Sequence, residues 1–127
     1  MDYVAKITPF FTDHRGHLSH LIPDDVAIRG ILLLTSKKGA VRANHYHKTD
    51  SHFSYLYSGK MQYFWKDLKK KNSRRKSVIV KAGEMVYTPP KMAHAMKFLE
   101  DSVFFAFATK PRDQKDYESD TIKISLI

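Results

Sequence analysis

Residues 39–59 read GAVRANHYHKTDSHFSYLYSG, and the second half of this stretch has the period of a β-strand. The aromatic residues at positions 53, 55 and 57 fall on one face of such a strand, and His52, Ser54 and Leu56 on the other. A Ser-Gly-Lys turn follows at 58–60, before a second apolar segment at 61–65. The stretch therefore predicts a β-hairpin.

The same period of two recurs in short segments along the chain, without the longer period of an amphipathic helix. Further strands are expected at 29–35, 77–80, 85–88, 94–98 and 103–109, with a last alternation at 122–126. Pro89-Pro90 ends one strand because proline donates no hydrogen bond to a ladder. A short helical turn is expected within 111–118. Many short strands with frequent turns predict an all-β fold, a single-domain barrel or sandwich of the jelly-roll type over residues 1–127.

Composition places the chain among soluble globular proteins. Its 127 residues are 43% hydrophobic and 28% charged. The longest aliphatic run, 31–34, is far shorter than the ~20 residues of a membrane-spanning helix. The first residues lack the pattern of a secretion signal, so we expect a cytoplasmic protein without membrane contact. The absence of cysteine excludes disulfides and thiolate ligands, so a metal would need histidine or carboxylate.

The net charge of +9 comes mainly from one segment. Residues 66–76 hold seven lysines and arginines against Asp67, a balance of +6, which leaves +3 for the other 116 residues. We interpret this basic segment as a solvated hairpin loop. Binding of nucleic acid or of a phosphorylated partner is the alternative. The aromatic residue beside the segment, Trp65, is a poor match to a stacking platform, so nucleic acid is not expected as a partner.

Four of the seven histidines have an informative spacing. His45 and His47 stand two residues apart, so a strand points both imidazoles to one side, where they converge on one ion or substrate. His52 has the wrong parity for that strand and needs a bend at 48–51, and His94 must come from a separate strand. The other three are expected at the surface or in turns: His14, His17 and His20.

These spacings resemble the two motifs of the cupin superfamily. The first motif is matched by Gly39, His45, His47 and Gly59, with His52 at its acidic position. The second is matched by Gly83, Pro89 and His94, with Lys91 where glycine is usual and Phe98 where asparagine is usual. The resemblance implies a cupin jelly roll with motifs at 39–59 and 83–98, separated by the basic loop at 66–76.

A closer resemblance is to the nucleotide-sugar 3,4-ketoisomerases, cupins that act on dTDP-4-oxo-6-deoxyglucose and are related to the dTDP-sugar 3,5-epimerases. It is carried by Asp13-x-Arg15-Gly16-x-Leu18, by Pro23 and Ile28-Arg29, and by Arg42-x-x-His45-x-His47-Lys48. Later residues, Pro89-Pro90 and Asp116-Tyr117-Glu118, are compatible with it.

This resemblance implies an enzyme that moves protons next to a keto group, for which histidine is suited because its pKa lies near neutrality. His45 and His47 would shuttle protons, and Arg42 would stabilise an enediolate oxygen or a phosphate. The substrate would be a nucleotide-sugar. The residues assigned to substrate binding are Arg29, Tyr46, Tyr55 and Tyr87.

One departure from the ketoisomerases favours an alternative function. The ketoisomerases need no metal and lack a histidine at the position of His94. In this chain histidines occupy all four cupin ligand positions: His45, His47, His52 and His94. Four neutral imidazoles suit Zn, Ni, Cu or Fe. The alternative is a metal-binding cupin that binds, oxidises or lyses another small molecule, and no organic cofactor is expected in either case.

Two expectations concern the surroundings of the site. Arg42 is alternatively an ion-pair partner of Asp50 at the rim. The aromatic residues between 53 and 65 are expected in the core and at an interface between copies of the chain. Edge strands rich in aromatic residues, together with the family resemblance, predict a homodimer.

Overall fold

The computed structural model describes residues 3–111 and 113–127, and in this part of the chain it contains twelve strands and one helix. In chain order they are β1 (Val4–Lys6), β2 (Phe11–Asp13), β3 (Gly16–Leu18), β4 (Gly30–Ser36), β5 (Val41–His47), β6 (His52–Ser58), β7 (Lys60–Asp67), β8 (Lys76–Lys81), β9 (Glu84–Thr88), β10 (Met92–Phe98), β11 (Ser102–Ala108), α1 (Gln114–Asp120) and β12 (Thr121–Lys123). The all-β prediction is confirmed. The helix has seven residues, too few to span a membrane.

Two five-stranded antiparallel sheets form the body of the fold. The β6 sheet has the strand order β1-β9-β6-β11-β4, and the β5 sheet has the order β12-β5-β10-β7-β8. Strands β2 and β3 form a separate hairpin. Within each sheet most neighbours are distant in sequence, as jelly-roll connections require, and successive strands often change sheet.

The core lies between the two sheets, where alternate residues of each strand meet. On β6, Leu56 is fully buried while Tyr57 is 64% exposed, as the alternation predicts. On β11 the inward residues include Phe104, which stacks on Phe98 with ring centroids 5.6 Å apart. Phe98 therefore fills the core at the motif position where asparagine is usual.

The predicted hairpins are present, but their strands extend beyond the predicted limits. β8 begins at Lys76 and β7 continues to Asp67, so the loop of the basic segment covers residues 68–75. The predicted helical turn is α1, which starts and ends later than expected; Arg112, within the predicted range, lies outside the described residues. Of the alternating residues at 122–126, Ile122 lies in β12, whereas the chain beyond Lys123 is irregular.

The backbone conformation of Lys91 explains why glycine is usual at this position of the second cupin motif. Its φ is 61°, in the left-handed region where glycine is the least strained residue. Its N–H donates to the carbonyl of His47 at 2.8 Å, and its own carbonyl accepts from Leu68 at 3.1 Å. The lysine thus keeps the backbone conformation that the motif glycine favours.

Candidate functional site

A β-bulge in β5 brings Arg42 and His45 to the same cavity. In a regular strand, residues three positions apart face opposite sides. The register between β5 and β10 shifts by one residue at this point, which makes Asn44 the extra residue of the bulge. Ala43 and Asn44 have φ values of 69° and 54°, which residues other than glycine rarely adopt. The shift allows both Arg42 and His45 to line the cavity.

The C-terminal residues hold the bulge in place. The Asn44 side-chain Oδ1 accepts hydrogen bonds from the backbone N–H of Leu126 at 3.2 Å and of Ile127 at 3.1 Å. The Asn44 carbonyl accepts a third from Ile124 at 2.9 Å. These contacts offset the strain of two successive left-handed residues.

Four histidines from three strands meet at this cavity. His45 pairs with His94 across the β5–β10 ladder, with ring centroids 4.7 Å apart. The ring of His47 lies 4.7 Å from that of His45 and 5.7 Å from that of His94. His52 comes from the opposite sheet, with its ring 5.1 Å from His94 and 5.4 Å from His47. The structure therefore brings together the four histidines singled out from the sequence.

Hydrogen bonds to Nδ1 orient two of these rings. His94 Nδ1 lies 2.9 Å from the carbonyl oxygen of Met92. Because a carbonyl only accepts, Nδ1 carries the proton and Nε2 is the basic nitrogen when the ring is neutral. His47 Nδ1 lies 3.2 Å from the Thr121 hydroxyl and 3.8 Å from Oδ2 of Asp120. Both rings are almost fully buried.

Asp120 fixes the bend that redirects His52. Its carboxylate accepts hydrogen bonds from the Thr49 hydroxyl at 2.7 Å and from the backbone N–H of Thr49 and Asp50 at 2.9 and 3.0 Å. Burial raises the pKa of Asp120, but these hydrogen bonds and the charge of His47 together hold that pKa below its usual value. The expected bend at 48–51 is thus stabilised by hydrogen bonds to Asp120, which lies about 70 residues later in the chain.

Tyr117, on helix α1, lines the cavity next to the histidines. Its ring centroid lies 5.8 Å from His47 and 6.3 Å from His45. This residue stands in the Asp116-Tyr117-Glu118 pattern, but strand alternation gave no way to place it in the site. A second tyrosine, Tyr63, stacks on His94 at 6.3 Å and hydrogen-bonds the Thr88 hydroxyl at 2.7 Å. Burial raises the pKa of Tyr63, so its phenol stays protonated at neutral pH.

The cavity has a volume of about 140 Å³ and an apolar wall that includes Leu34, Met96 and Phe104. Arg42 also lines it, and its guanidinium is fixed by donating to the Ser36 hydroxyl at 2.7 Å and to the Thr35 carbonyl at 2.8 Å. The alternative partner, Asp50, instead accepts hydrogen bonds from Thr109 and from the backbone of residue 110, both at 3.2 Å. Arg42 is therefore not a rim ion pair with Asp50.

The structure does not bring the other predicted substrate residues to this cavity. Tyr46 alternates with His45 and His47 and so faces away from it. Tyr55 and Tyr87 lie on the outer face of the β6 sheet, where Tyr87 packs on Phe53 at 4.9 Å. Arg29 is exposed and directly precedes β4. Their assignment to substrate binding stays a prediction, and their placement gives it no support.

The N-terminal histidines lie outside the site, as expected. His14, His17 and His20 are all exposed. His17 Nδ1 lies 2.8 Å from the Thr12 hydroxyl, and His20 stacks on Phe10 at 4.2 Å.

Two groups of side chains lie close enough together to hold a metal ion. His45, His47 and His94 place one ring nitrogen each within 4.8 Å of the others, and His47, Asp50 and Asp120 do the same with a nitrogen and two carboxylate oxygens. The first group fits a divalent transition metal by its chemistry, because imidazole is a common ligand of such ions, and two of its three rings, His47 and His94, are held through Nδ1. In the second group the carboxylates already accept backbone and hydroxyl hydrogen bonds.

Comparisons with solved structures support the interpretation of the fold. The chain resembles the dTDP-4-dehydrorhamnose 3,5-epimerase of Sulfolobus tokodaii, with a TM-score of 0.76, 21% identity, and coverage of 97% of this chain and 76% of that one. It also resembles a double mutant of the 3,4-ketoisomerase QdtA of Thermoanaerobacterium thermosaccharolyticum in complex with TDP (TM-score 0.72, 25% identity, 97% and 88% coverage). A third is a 3,4-ketoisomerase from Helicobacter canadensis (TM-score 0.76, 18% identity, 94% and 88% coverage).

The family is identified by a match over nearly the whole chain. No curated protein matches the sequence. Residues 2–124, however, match the family described as "FdtA: WxcM-like, C-terminal". Together with the similarity to sugar epimerases and ketoisomerases, this match confirms the expected cupin jelly roll. The chain belongs to the FdtA, WxcM-like C-terminal family of cupins.

Proposed function

We propose that the protein is a nucleotide-sugar isomerase or epimerase that transfers protons next to the keto group of a 4-oxo-6-deoxyhexose. The observation that carries the proposal is the placement of His45, His47 and Tyr117 around one small cavity. Three groups that donate and accept protons face the same space, which is what enolisation requires. The family match and the similarity to dTDP-sugar enzymes support the substrate class.

The size of the cavity suits the sugar rather than the whole nucleotide-sugar. At about 140 Å³ it is smaller than the pockets that enclose drug-sized ligands, which begin near roughly 300 Å³. The sugar ring would enter, and the diphosphate and nucleoside would remain outside. Arg42 lines the cavity with a fixed guanidinium, and part of its donor set is not used by Ser36 and Thr35. It would bind the anionic oxygen of the enediolate or a phosphate.

The proposed reaction starts with removal of the proton on C3, the carbon next to the C4 ketone. The C3–H electron pair forms a C3=C4 double bond, and the C4 oxygen becomes an enolate. For isomerisation the O3 proton moves to O4 and a proton is added at C4, which yields the 3-oxo sugar. For epimerisation a proton returns to C3 from the opposite face. Either route conserves all atoms and electrons and needs no oxidant.

His47 is the best candidate for the base. Its Nδ1 is hydrogen-bonded by Thr121 and faces Asp120, and a carboxylate next to an imidazole stabilises the cation that forms when the ring takes a proton. His45 and Tyr117 are close enough to the His47 ring to serve the second proton transfer. His45→Asn and His47→Asn are each expected to lower activity about 100-fold or more.

The direct test is isotope exchange. The metal-stripped protein should exchange the C3 proton of dTDP-4-oxo-6-deoxyglucose with deuterated solvent, as read by NMR. Exposed His14→Asn is the matched control and should exchange like the unchanged protein. Absence of exchange with dTDP-, UDP- and GDP-4-oxo sugars alike would exclude the proposal.

A second candidate function is a metal-binding cupin that binds, oxidises or lyses another small molecule. His45, His47 and His94 would hold the ion, with His52 as a fourth ligand from the opposite sheet. A divalent ion held there would polarise a carbonyl oxygen. One ring nitrogen of each of these three histidines lies within 4.8 Å of the others, which is compatible with ligation of a single ion.

Elemental analysis separates the two candidates. Untagged protein that carries one transition metal per chain, loses it in His94→Ala and loses activity with it would favour the metal function. Protein without stoichiometric metal that still exchanges the substrate proton would exclude it. His20→Ala, an exposed histidine outside the site, is the control for nonspecific metal uptake.

We also propose that the protein is a homodimer formed through the outer face of the β6 sheet. On β4, β6 and β11 every outward residue of this face is uncharged: Ile31, Leu33, Thr35, Phe53, Tyr55, Tyr57, Val103, Phe105 and Phe107. Ile31 and Leu33 are 65% and 64% exposed. A continuous apolar face of this extent on a soluble domain usually contacts a partner.

Sedimentation velocity tests this interface. Leu33→Glu should convert a dimer to a monomer, because a charge buried in a desolvated interface has no partner. Ile79→Glu, on the exposed face of the other sheet, should leave the dimer intact. A monomeric unchanged protein, or dissociation by both variants alike, would exclude this interface.

A further inference from the structure

A second cavity lies beside the basic segment and shares no lining residue with the histidine cavity. Its volume is about 310 Å³. The walls come from the N-terminal strand region, the end of β7, the loop 68–75 and the start of β8, and they include Tyr3, Trp65, Asp67, Lys70, Arg74 and Lys76. We propose that this cavity binds a small phosphorylated ligand that carries an aromatic ring, with the chemistry of a nucleoside diphosphate.

Hydrogen bonds hold the loop that forms this cavity in one conformation. Asp67 accepts from the Lys69 N–H through Oδ1 at 2.9 Å, and its carbonyl accepts from the Ser73 hydroxyl at 2.6 Å. At the base of the loop, Leu68 N–H donates to the carbonyl of Lys91 at 3.1 Å. A loop that is ordered before binding loses little conformational entropy when a ligand binds, so its affinity is higher.

The lining carries an excess of positive charge. Lys70, Arg74 and Lys76 contribute three cations and Asp67 one carboxylate, a balance of +2. Among residues 3–111 and 113–127, none of these three cations forms an ion pair. Like charges held around one cavity repel one another, and a phosphate placed among them would accept charge-assisted hydrogen bonds from all three.

Arg75 shows that the cations of the segment are not equivalent. It points away from the cavity, where its Nη1 donates to the carbonyl of Leu126 at 2.9 Å and its guanidinium lies 5.3 Å from the ring of Phe64. Arg75 therefore takes part in packing, whereas Arg74 lines the cavity. The segment is more than a solvated loop of uniform charge.

An aromatic wall completes the cavity. Trp65 makes a T-shaped contact with Tyr3, with centroids 6.0 Å apart, and stacks on Tyr63 at 5.8 Å, which fixes its orientation. Trp65 and Tyr3 offer a nucleobase-sized ring an apolar surface next to the cations. The volume is near the lower limit for ligand pockets, and one pair of aromatic rings does not provide the row of stacking surfaces that a polymer needs. A single nucleotide fits these features better than a strand of nucleic acid.

Trp65 provides the test, because it is the single tryptophan of the chain. Its fluorescence should change saturably on titration with TDP. Thymidine, which lacks the phosphates, and inorganic diphosphate, which lacks the aromatic ring, should each bind at least tenfold more weakly. Lys70→Gln/Arg74→Gln should weaken the TDP response at least tenfold, since each lost charge-assisted hydrogen bond is worth about tenfold in affinity. Lys71→Gln, in the same loop but outside the lining, should respond like the unchanged protein.

A second titration separates this site from the histidine cavity. Arg42→Gln removes the group proposed to bind a substrate phosphate at the histidine cavity and should leave the Trp65 response to TDP intact. Loss of the response in Arg42→Gln, no saturable change in any protein, or equal weakening by Lys71→Gln and Lys70→Gln/Arg74→Gln would each overturn the proposal. So would inorganic diphosphate binding as tightly as TDP, or an affinity that increases with the length of an oligothymidylate.

Discussion

Asp120 Oδ2 lies 3.8 Å from Nδ1 of the buried His47, at the junction between α1 and β12. The same carboxylate accepts the hydrogen bonds from Thr49 and Asp50 that form the bend before His52. One side chain thus lies at ion-pair distance from an imidazole of the β5 sheet and fixes the approach to a histidine of the β6 sheet. We infer that Asp120 is a positioning residue for the proposed proton transfer.

Asp120→Asn should lower kcat for proton exchange about 10- to 100-fold, the usual effect of removing a group that orients a functional histidine. KM should change little, because Asp120 does not line the cavity. Thr49→Val is the control: it removes the hydroxyl hydrogen bond to Oδ1, keeps the backbone N–H bond to the same oxygen, and leaves Oδ2 facing His47. Steady-state kinetics of both variants measure the difference. An equal loss of kcat in the two would mean that the bend, and not His47, is what Asp120 supports.

The Asp120 carboxylate also makes the stability of the protein depend on pH. The pKa of Asp120 in the folded state lies below the ordinary value of about 3.9, so the unfolded chain binds the proton more readily. The stabilisation is complete above the unfolded-state pKa and is lost as the pH falls through the folded-state pKa. The free energy of unfolding in urea should therefore fall between about pH 5 and pH 3, and less steeply in Asp120→Asn.

Asp13→Asn is the control for that experiment. A hydrogen bond from the Arg15 side chain lowers the pKa of Asp13 as well, but this pair lies on the exposed hairpin. Solvent screens such a pair, so most of the pH dependence should persist in the variant. A pH dependence that is identical in Asp120→Asn and the unchanged protein would show that Asp120 does not contribute.

Much of the fold could be predicted because its information is local. Alternation placed Leu56 and Tyr57 on opposite faces of one strand, and the turn residues located the hairpin at Gly59 without any knowledge of the partner strands; which face is buried was not predicted. The same rule also applied to Tyr46: a residue between His45 and His47 must face the other way, so its assignment to substrate binding conflicted with the parity of its own strand.

The missing parts of the site depend on tertiary contacts. Tyr117 reaches the cavity because β12 pairs with β5, a contact between segments more than 70 residues apart that leaves no local pattern. The bulge at Asn44 had one weak signal, since asparagine tolerates the left-handed region better than most residues. Ala43 gave none. The hydrogen bonds between residues 124–127 and Asn44 could not be predicted, because that C-terminal segment has no regular secondary structure.

Tyr117→Phe tests whether the phenol acts in the chemistry. The ring would keep its contacts with His45 and His47, so the fold and the shape of the cavity should persist. Proton exchange or product formation should fall about 100-fold, the usual contribution of a general acid. Melting temperature and the rate at a range of substrate concentrations are the measurements. Tyr46→Phe, on the opposite face of β5, is the control and should keep its rate; a Tyr117→Phe variant with full activity would remove the phenol from the mechanism.

Gly59→Ala should be severely destabilising. Gly59 has φ of +94°, and an added Cβ would lie 2.6 Å from the backbone oxygen of Asp101 and 2.7 Å from the Cα of Ser102. Backbone atoms cannot move aside as a flexible side chain can, so we expect a loss of more than about 3 kcal/mol or failure to fold. Gly39→Ala has a similar φ, +88°, but open space, and should cost only about 1 kcal/mol. Urea unfolding compares the two, and equal losses would show that strain in φ alone decides the cost.

Asn44 links the bulge to activity, and two substitutions separate its conformation from its hydrogen bonds. Asn44→Gly keeps the left-handed backbone at low cost but loses the side-chain bonds to Leu126 and Ile127, so we expect about 1–2 kcal/mol lower stability and activity within about threefold. Asn44→Val also strains the φ of 54°, because a β-branched side chain disfavours that region. Relief of that strain would remove the register shift that lets Arg42 and His45 share a cavity. Exchange activity should then fall at least tenfold. Equal activity in the folded Gly and Val variants would show that the bulge is not what aligns Arg42 with His45.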